Sequence, residues 1–257
     1  VKGELAGLRC LITGGGSGIG AGIARVLAAR GARVAVLGRR RRALQQVADS
    51  LPRRAQARAV VADVTDAKGL RTAVARAAKP WRGLDVVVAN AGVGGPNGCA
   101  VPGPDRWHEV LRTNLDGVYH TVLAALPHLA DGGRIIAISS VLGRFGVPGY
   151  TAYCASKHGV IGFVKALALE LAPRRITVNA LCPGWVDTDM ATAGMQGMAE
   201  GLGISFAEAR RQALAAVPLG RILQPEEIGE SVAFLCSPGA SGMTGQAISH
   251  CGGQVMW

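Results

Sequence analysis

What most constrains how this chain can fold is a series of short apolar runs, each followed by a stretch of helical periodicity. Leu8–Thr13, Arg33–Leu37, Arg58–Ala62, Leu84–Ala89, Arg134–Ser139, Ile176–Leu181 and Ala247–Ser249 read as strands, and most are continuously apolar. A strand covered on both faces has that pattern, whereas a strand with one wet face alternates. Helical stretches lie between them at Ile19–Arg30, Arg40–Ser50, Asp66–Ala78, Asp105–Ala130, Tyr150–Ala172 and Pro225–Leu235, with an excursion at Asp187–Val217. Strands alternating with helices predict an α/β fold: a doubly wound parallel sheet of about seven strands, with right-handed crossovers and helices on both faces. No long linker or repeat interrupts the pattern, so residues 1–257 read as one domain.

Composition supports a layered core. Of the 257 residues 49% are hydrophobic, 18% are charged and only 4% are aromatic, with 37 glycines for tight turns. The six cysteines are scattered without a CxxC pair, which argues against a zinc site or a disulfide framework and for a reduced, cytoplasmic protein. The longest apolar runs are too short to span a bilayer. A net charge of +11 would suit an anionic partner, or simply a solvated surface. The five histidines form no ligand-like cluster, and no metal is expected.

The first strand runs into Thr13-Gly14-Gly15-Gly16-Ser17-Gly18-Ile19-Gly20 and then into the first helix. Glycines there allow close backbone approach, and a helix amino end offers free N–H groups and partial positive charge. Together these favour a pyrophosphate. The spacing is TGxxxGxG rather than GxGxxG. With Asp63-Val64, Asn90-Ala91-Gly92, Asn114, Ser140, Tyr153, Lys157, Pro183-Gly184 and Thr188 following in order, the chain resembles the short-chain dehydrogenase/reductase family along nearly its whole length. The resemblance implies a Rossmann-type sheet and a nicotinamide dinucleotide lying along Gly14, Ser17, Gly18, Ile19, Gly20, Asn90, Ala91, Gly92, Pro183, Gly184, Val186 and Thr188. Asp63 and Val64 would line the adenine.

Where an NAD-binding chain usually carries a carboxylate after its second strand, this one has Gly38 followed by Arg39-Arg40-Arg41-Arg42. Four cations at a helix start oppose the helix dipole, and a bound phosphate would relieve them. Arg39 is the expected partner of a 2′-phosphate, assisted by Arg40, so NADP(H) is the expected cofactor.

Tyr153 and Lys157 are four residues apart and share a helix face. A free phenol titrates at about 10, and a nearby ammonium, assisted by the positive ring of an oxidised nicotinamide, is expected to lower that value. Tyr153 would then act as general acid or base, with Ser140 bonding the substrate oxygen and Ser139 as its runner-up. Family resemblance gives Lys157 the nicotinamide ribose and Asn114 a water leading to solvent.

The stretch at about 187–217 corresponds to the family's substrate loop, and its Met190, Met195 and Met198 suit an adaptable cover. Trp185 is a candidate substrate contact. Local detail around Tyr153–Gly159, Cys182–Gly184 and Cys251–Gly253 looks most like bacterial β-ketoacyl and aromatic polyketide ketoreductases, which implies a ketone or alcohol carried as a thioester on an acidic acyl carrier protein. A sugar, steroid or simple-alcohol reductase of the same family stands beside that reading. A non-catalytic NADP-sensing or nucleic-acid-binding protein is the rival from another class, although no basic recognition helix supports nucleic acid. The resemblance also implies a homotetramer or homodimer built on the helices around 105–130 and 153–172.

Overall fold

The computed structural model describes residues 3–101 and 103–257. Seven parallel strands, β1 (Arg9–Thr13), β2 (Arg33–Gly38), β3 (Arg58–Val61), β4 (Leu84–Ala89), β5 (Leu129–Ile138), β6 (Thr177–Pro183) and β7 (Ala247–His250), form one sheet in the order β3-β2-β1-β4-β5-β6-β7. The order reverses at β1, whose Leu11 lies beside Ala35 on one flank and Val87 on the other. The doubly wound sheet expected from the apolar runs is therefore present. Successive strand side chains enter two separate cores: Ile12, Val34, Val36, Val86 and Val88 on one face, Leu11, Ala35, Leu37 and Val87 on the other. Burial on both sides is why these strands contain almost no polar residue.

Nine α-helices are formed by the described residues: α1 (Gly18–Ala29), α2 (Arg41–Ser50), α3 (Ala67–Ala78), α4 (Trp107–Leu111), α5 (Gly117–Ala125), α6 (Thr151–Leu171), α7 (Asp189–Leu202), α8 (Phe206–Ala215) and α9 (Pro225–Cys236). The helix expected at Asp105–Ala130 is not one α-helix. It is α4, a wide π turn over Arg112–Asp116, α5 and a tight turn at Leu126–His128. β5 accordingly begins at Leu129 rather than Arg134, because the glycines at 132 and 133 bend the strand without ending it. The excursion after β6 is ordered as α7 and α8, each started by a hydroxyl cap: Thr188 accepts from the Ala191 N–H and Ser205 from the Glu208 N–H.

α1 and α9 cover one face together. A Cβ on Gly22 would lie 2.5 Å from the Pro225 carbonyl carbon, and one on Gly229 would lie 2.8 Å from Val26 Cγ2. Small residues thus let the two helices approach to backbone contact, and Arg25 pairs with Glu226 at 2.6 Å along the seam. Gly22→Ala is expected to force the helices apart and lower stability by about 1–3 kcal/mol, read as a shift in the urea midpoint at unchanged m-value.

Candidate active site

Because every strand is parallel, all their carboxyl ends open on one side of the sheet, and the main cleft lies there across the reversal at β1. Its wall includes Gly14, Ser17, Gly18, Ile19 and Gly20 from the first turn and Arg39 and Arg40 after β2. Asp63 and Val64 follow from the end of β3, Asn90, Ala91 and Gly92 from the end of β4, Tyr153 and Lys157 from α6, and Thr188 ahead of α7.

The first turn is held by the protein itself. Gly14 has a φ of +66°, and a Cβ there would lie 2.7 Å from Asn90 Nδ2. A Cβ on Gly20 would overlap the Gly14 carbonyl oxygen. These two glycines are therefore required first by packing within the turn, not only by a ligand lying against it. Asn90 locks the turn: its amide donates to the carbonyl oxygen of Thr13 at 2.8 Å and to that of Gly14 at 3.3 Å. The Thr13 hydroxyl receives the Asn90 and Ala91 N–H groups at 3.0 and 3.2 Å.

Electrostatically, this end of the cleft is built for an anion. Ser17 precedes α1 without capping it, and neither α1 nor α2 has an acidic residue in its first turn. The Ser17 hydroxyl instead receives Arg40 Nη2 at 3.0 Å, which ties the arginine run to the glycine turn. Two helix amino ends without side-chain caps and two guanidinium groups on one wall fit a phosphate-bearing dinucleotide. At Asp63, burial raises the carboxyl pKa, but hydrogen bonds from the Thr65 N–H and hydroxyl, both 2.9 Å, outweigh it with help from the charges of Arg39 and Arg112. The Asp63 carboxyl pKa is thus held below its ordinary range, and the carboxylate stays ionised.

At the other end, Tyr153 and Lys157 meet as the helical spacing requires, with Lys157 Nζ 5.5 Å from the centre of the Tyr153 ring. Lys157 is buried and donates to the Ile138 carbonyl at 2.9 Å. Ser140 lies near enough to the Tyr153 phenol to favour its ionised form, while its own oxygen accepts from the Leu142 N–H at 3.1 Å and caps a turn. Ser139 lines the cleft, but its hydroxyl is engaged away from the phenol, donating to the Lys157 carbonyl at 2.9 Å. Of the two serines, Ser140 is the one at the phenol.

One expectation is corrected here. Burial pushes the Tyr153 phenol up to about 12, and the hydrogen bond from Ser140 offsets only part of that rise. Burial likewise pulls the Lys157 ammonium down to about 8. Among the protein's own groups burial is the largest influence, and the Lys157 ammonium alone does not lower the phenol.

Several other expected residues stand behind the wall rather than on it. Asn114 sits in the π turn, fully buried, where its amide accepts from the Val93 N–H at 2.8 Å and donates to the Val93 carbonyl at 2.9 Å and the Ser156 hydroxyl at 3.3 Å. Its side chain is occupied with the loop after β4. Pro183 is the buried last residue of β6, Gly184 packs on Cys251, and Val186 is buried beside Leu223. Trp185 turns its ring toward α7, where a Cβ on Gly194 would lie 3.5 Å from Cζ3, so it supports that helix from outside the cleft. Sequence reasoning missed Val93, Thr113, Ile138 and Asp189 on the wall, and of the three loop methionines expected as a cover Met190 is the one that reaches it. Met190 projects from the first turn of α7 against Gly94, and only the folded position of α7 reveals that contact.

Comparison with known proteins places this geometry. A family model described as enoyl-(acyl carrier protein) reductase matches residues 14–254. A Streptomyces coelicolor protein carrying the name ketoacyl reductase is 42% identical over 248 residues, covering 95% of each chain. The Escherichia coli 3-oxoacyl-[acyl-carrier-protein] reductase FabG is 35% identical over 248 residues, covering 96% of each. A solved variant of the actinorhodin polyketide ketoreductase, crystallised with NADPH, superposes with a TM-score of 0.90 at 38% identity, covering 100% of each chain. This chain belongs to the short-chain dehydrogenase/reductase family.

Proposed function

We propose that the protein reduces a ketone to an alcohol with NADPH, its substrate a β-ketoacyl or polyketide thioester presented on an acyl carrier protein. One arrangement carries the reading: a single cleft joins a cationic, phosphate-compatible end at Arg39 and Arg40 to Tyr153 and Lys157 at the other. The names of the relatives, ketoacyl and polyketide reductases, favour the substrate class.

When bound, NADPH supplies the hydride. The turn from Gly14 to Gly20 and the amino end of α1 would hold the pyrophosphate, Arg39 would pair with the 2′-phosphate, and Asp63 and Val64 would flank the adenosine. Lys157 donates to the nicotinamide ribose. Tyr153 delivers its proton to the carbonyl oxygen as negative charge develops there, and Ser140 orients both oxygens. Asn114 acts as a positioning residue for the loop at Val93. Exposed Tyr119 and Leu123 on α5 and Leu169 on α6 are apolar surface suited to a homo-oligomer.

Tyr153→Phe is expected to lower kcat for a β-ketothioester roughly 100- to 10,000-fold, while NADPH affinity, followed by nicotinamide fluorescence, stays near wild type; retained turnover would remove Tyr153 from the chemistry. For Arg39→Ala, kcat/KM with NADPH should fall roughly 10- to 100-fold, as expected for losing a charged hydrogen bond. The value with NADH should hold, and equal losses with both cofactors would exclude a 2′-phosphate contact.

Lys157 makes a prediction about stability. Its folded pKa of about 8 lies below the 10.5 of a free lysine, so the unfolded state binds more protons between these values and stability rises with pH across that window. Below pH 8 the buried charge destabilises the fold by on the order of 3 kcal/mol, and losing the bond to Ile138 offsets about 1 kcal/mol of any relief. Lys157→Met should therefore be inactive yet more resistant to urea at pH 7, with the gain fading as pH rises from 8 to 10.5.

A further inference from the structure

The chain's positive charge is concentrated in one part of the fold. Residues 33–82 hold thirteen Lys and Arg against three Asp, a net of +10 within a total of +11. In the fold this segment is β2, α2, β3 and α3, the outer edge of the sheet that ends at β3. Twelve of those thirteen cations are exposed. All eight ion pairs among the described residues lie elsewhere, using Arg9, Arg25, Arg30, Arg106, Arg174, Arg211 and Arg221. A folded surface normally intersperses both signs, because like charges at this density repel one another. Here only Asp49, Asp63 and Asp66 stand against thirteen cations within the segment.

We propose that this edge is the docking surface for the acidic carrier protein that delivers the acyl substrate; the proposal rests on the carrier-linked reading above. Continuity with the cleft supports it, since Arg39, Arg40, Ala62, Asp63 and Val64 belong both to this edge and to the cleft wall. A second copy of the chain is a poor occupant, because two such edges repel. Nucleic acid is disfavoured as well. The segment exposes no aromatic ring on which bases could stack, Trp81 being buried beneath Arg58.

The edge has two ends. Arg42, Lys68 and Arg71 lie in the opening turns of α2 and α3, at the strand carboxyl ends where the cleft opens. Arg53, Arg54 and Arg82 precede β3 and β4, at the opposite end. A carrier that feeds the cleft must dock at the first.

The test compares one β-ketoacyl group on a carrier protein with the same group on a short pantetheine thioester, using R42E/K68E/R71E and R53E/R54E/R82E, which change the charge equally. Melting curves are taken for both variants. The cleft-end variant should raise KM for the carrier-bound substrate roughly tenfold and flatten its salt dependence, leaving KM for the pantetheine thioester and kcat unchanged. The far-end variant should have a clearly smaller effect. An unchanged carrier KM in the cleft-end variant, equal losses from the two variants, or a loss shared by both substrates would overturn the docking proposal while leaving the reductase reading intact. A wild-type enzyme that shows no preference for the carrier-bound substrate would instead remove the carrier-linked reading itself.

Discussion

The ammonium of Lys157 has lost nearly all contact with water, and the Ile138 carbonyl accepts from it at 2.9 Å. A charge in that position is tolerated only because fixed dipoles replace the solvent. Those dipoles come from elements distant in sequence: β5 supplies the carbonyl, Ser139 anchors the lysine's own backbone, and Gly92 leaves room where its Cβ would lie 3.7 Å from Nζ. The loop carrying Gly92 is in turn held by Asn114 from the π turn. The wide turn is thus part of the same construction, since it places a buried amide against the strand end on which the lysine depends.

Parallel topology is what allows these parts to meet. Strands that all run one way deliver their last residues to one side, so Thr13, Gly38, Val61, Ala89 and Ile138 finish around a common opening. Each continues into a loop whose backbone is no longer engaged in the sheet, and this is where a ligand can be contacted. Tyr153 comes from a helix rather than a loop, which keeps it at fixed spacing from Lys157. Rigid supports and free strand ends therefore divide the work between chemistry and binding.

Much of this was legible in the sequence because the responsible signals are local. Unbroken apolar runs marked β1, β2 and β4, and the glycine turn between Thr13 and Gly20 marked the phosphate end. The four-residue spacing of Tyr153 and Lys157 needs only a helix to become a contact. The less legible parts depend on distant partners. Nothing local distinguishes the π turn at Arg112–Asp116 from ordinary helix, and the glycines at 132 and 133 look like a terminator although the strand passes through them. The Tyr153 phenol was misjudged because charge proximity can be read from spacing, whereas the depth of burial that outweighs it cannot. That Met190 rather than Met195 or Met198 reaches the cleft wall, and that Trp185 lies against α7, both depend on where α7 comes to rest.

The seam between α1 and α9 has a consequence for synthesis. The helix that follows the glycine turn is formed from residues 18–29, yet its partner spans 225–236, some two hundred positions later. A nascent chain emerging from the ribosome can make β1, the turn and the packing of α1 on β2 early, but the side of α1 that meets α9 stays uncovered until translation is almost finished. Contacts that close so large a loop form late. The oldest part of the polypeptide, in order of manufacture, is therefore among the last to become rigid, and a product truncated before Pro225 would carry every phosphate-turn residue without a stable platform for them.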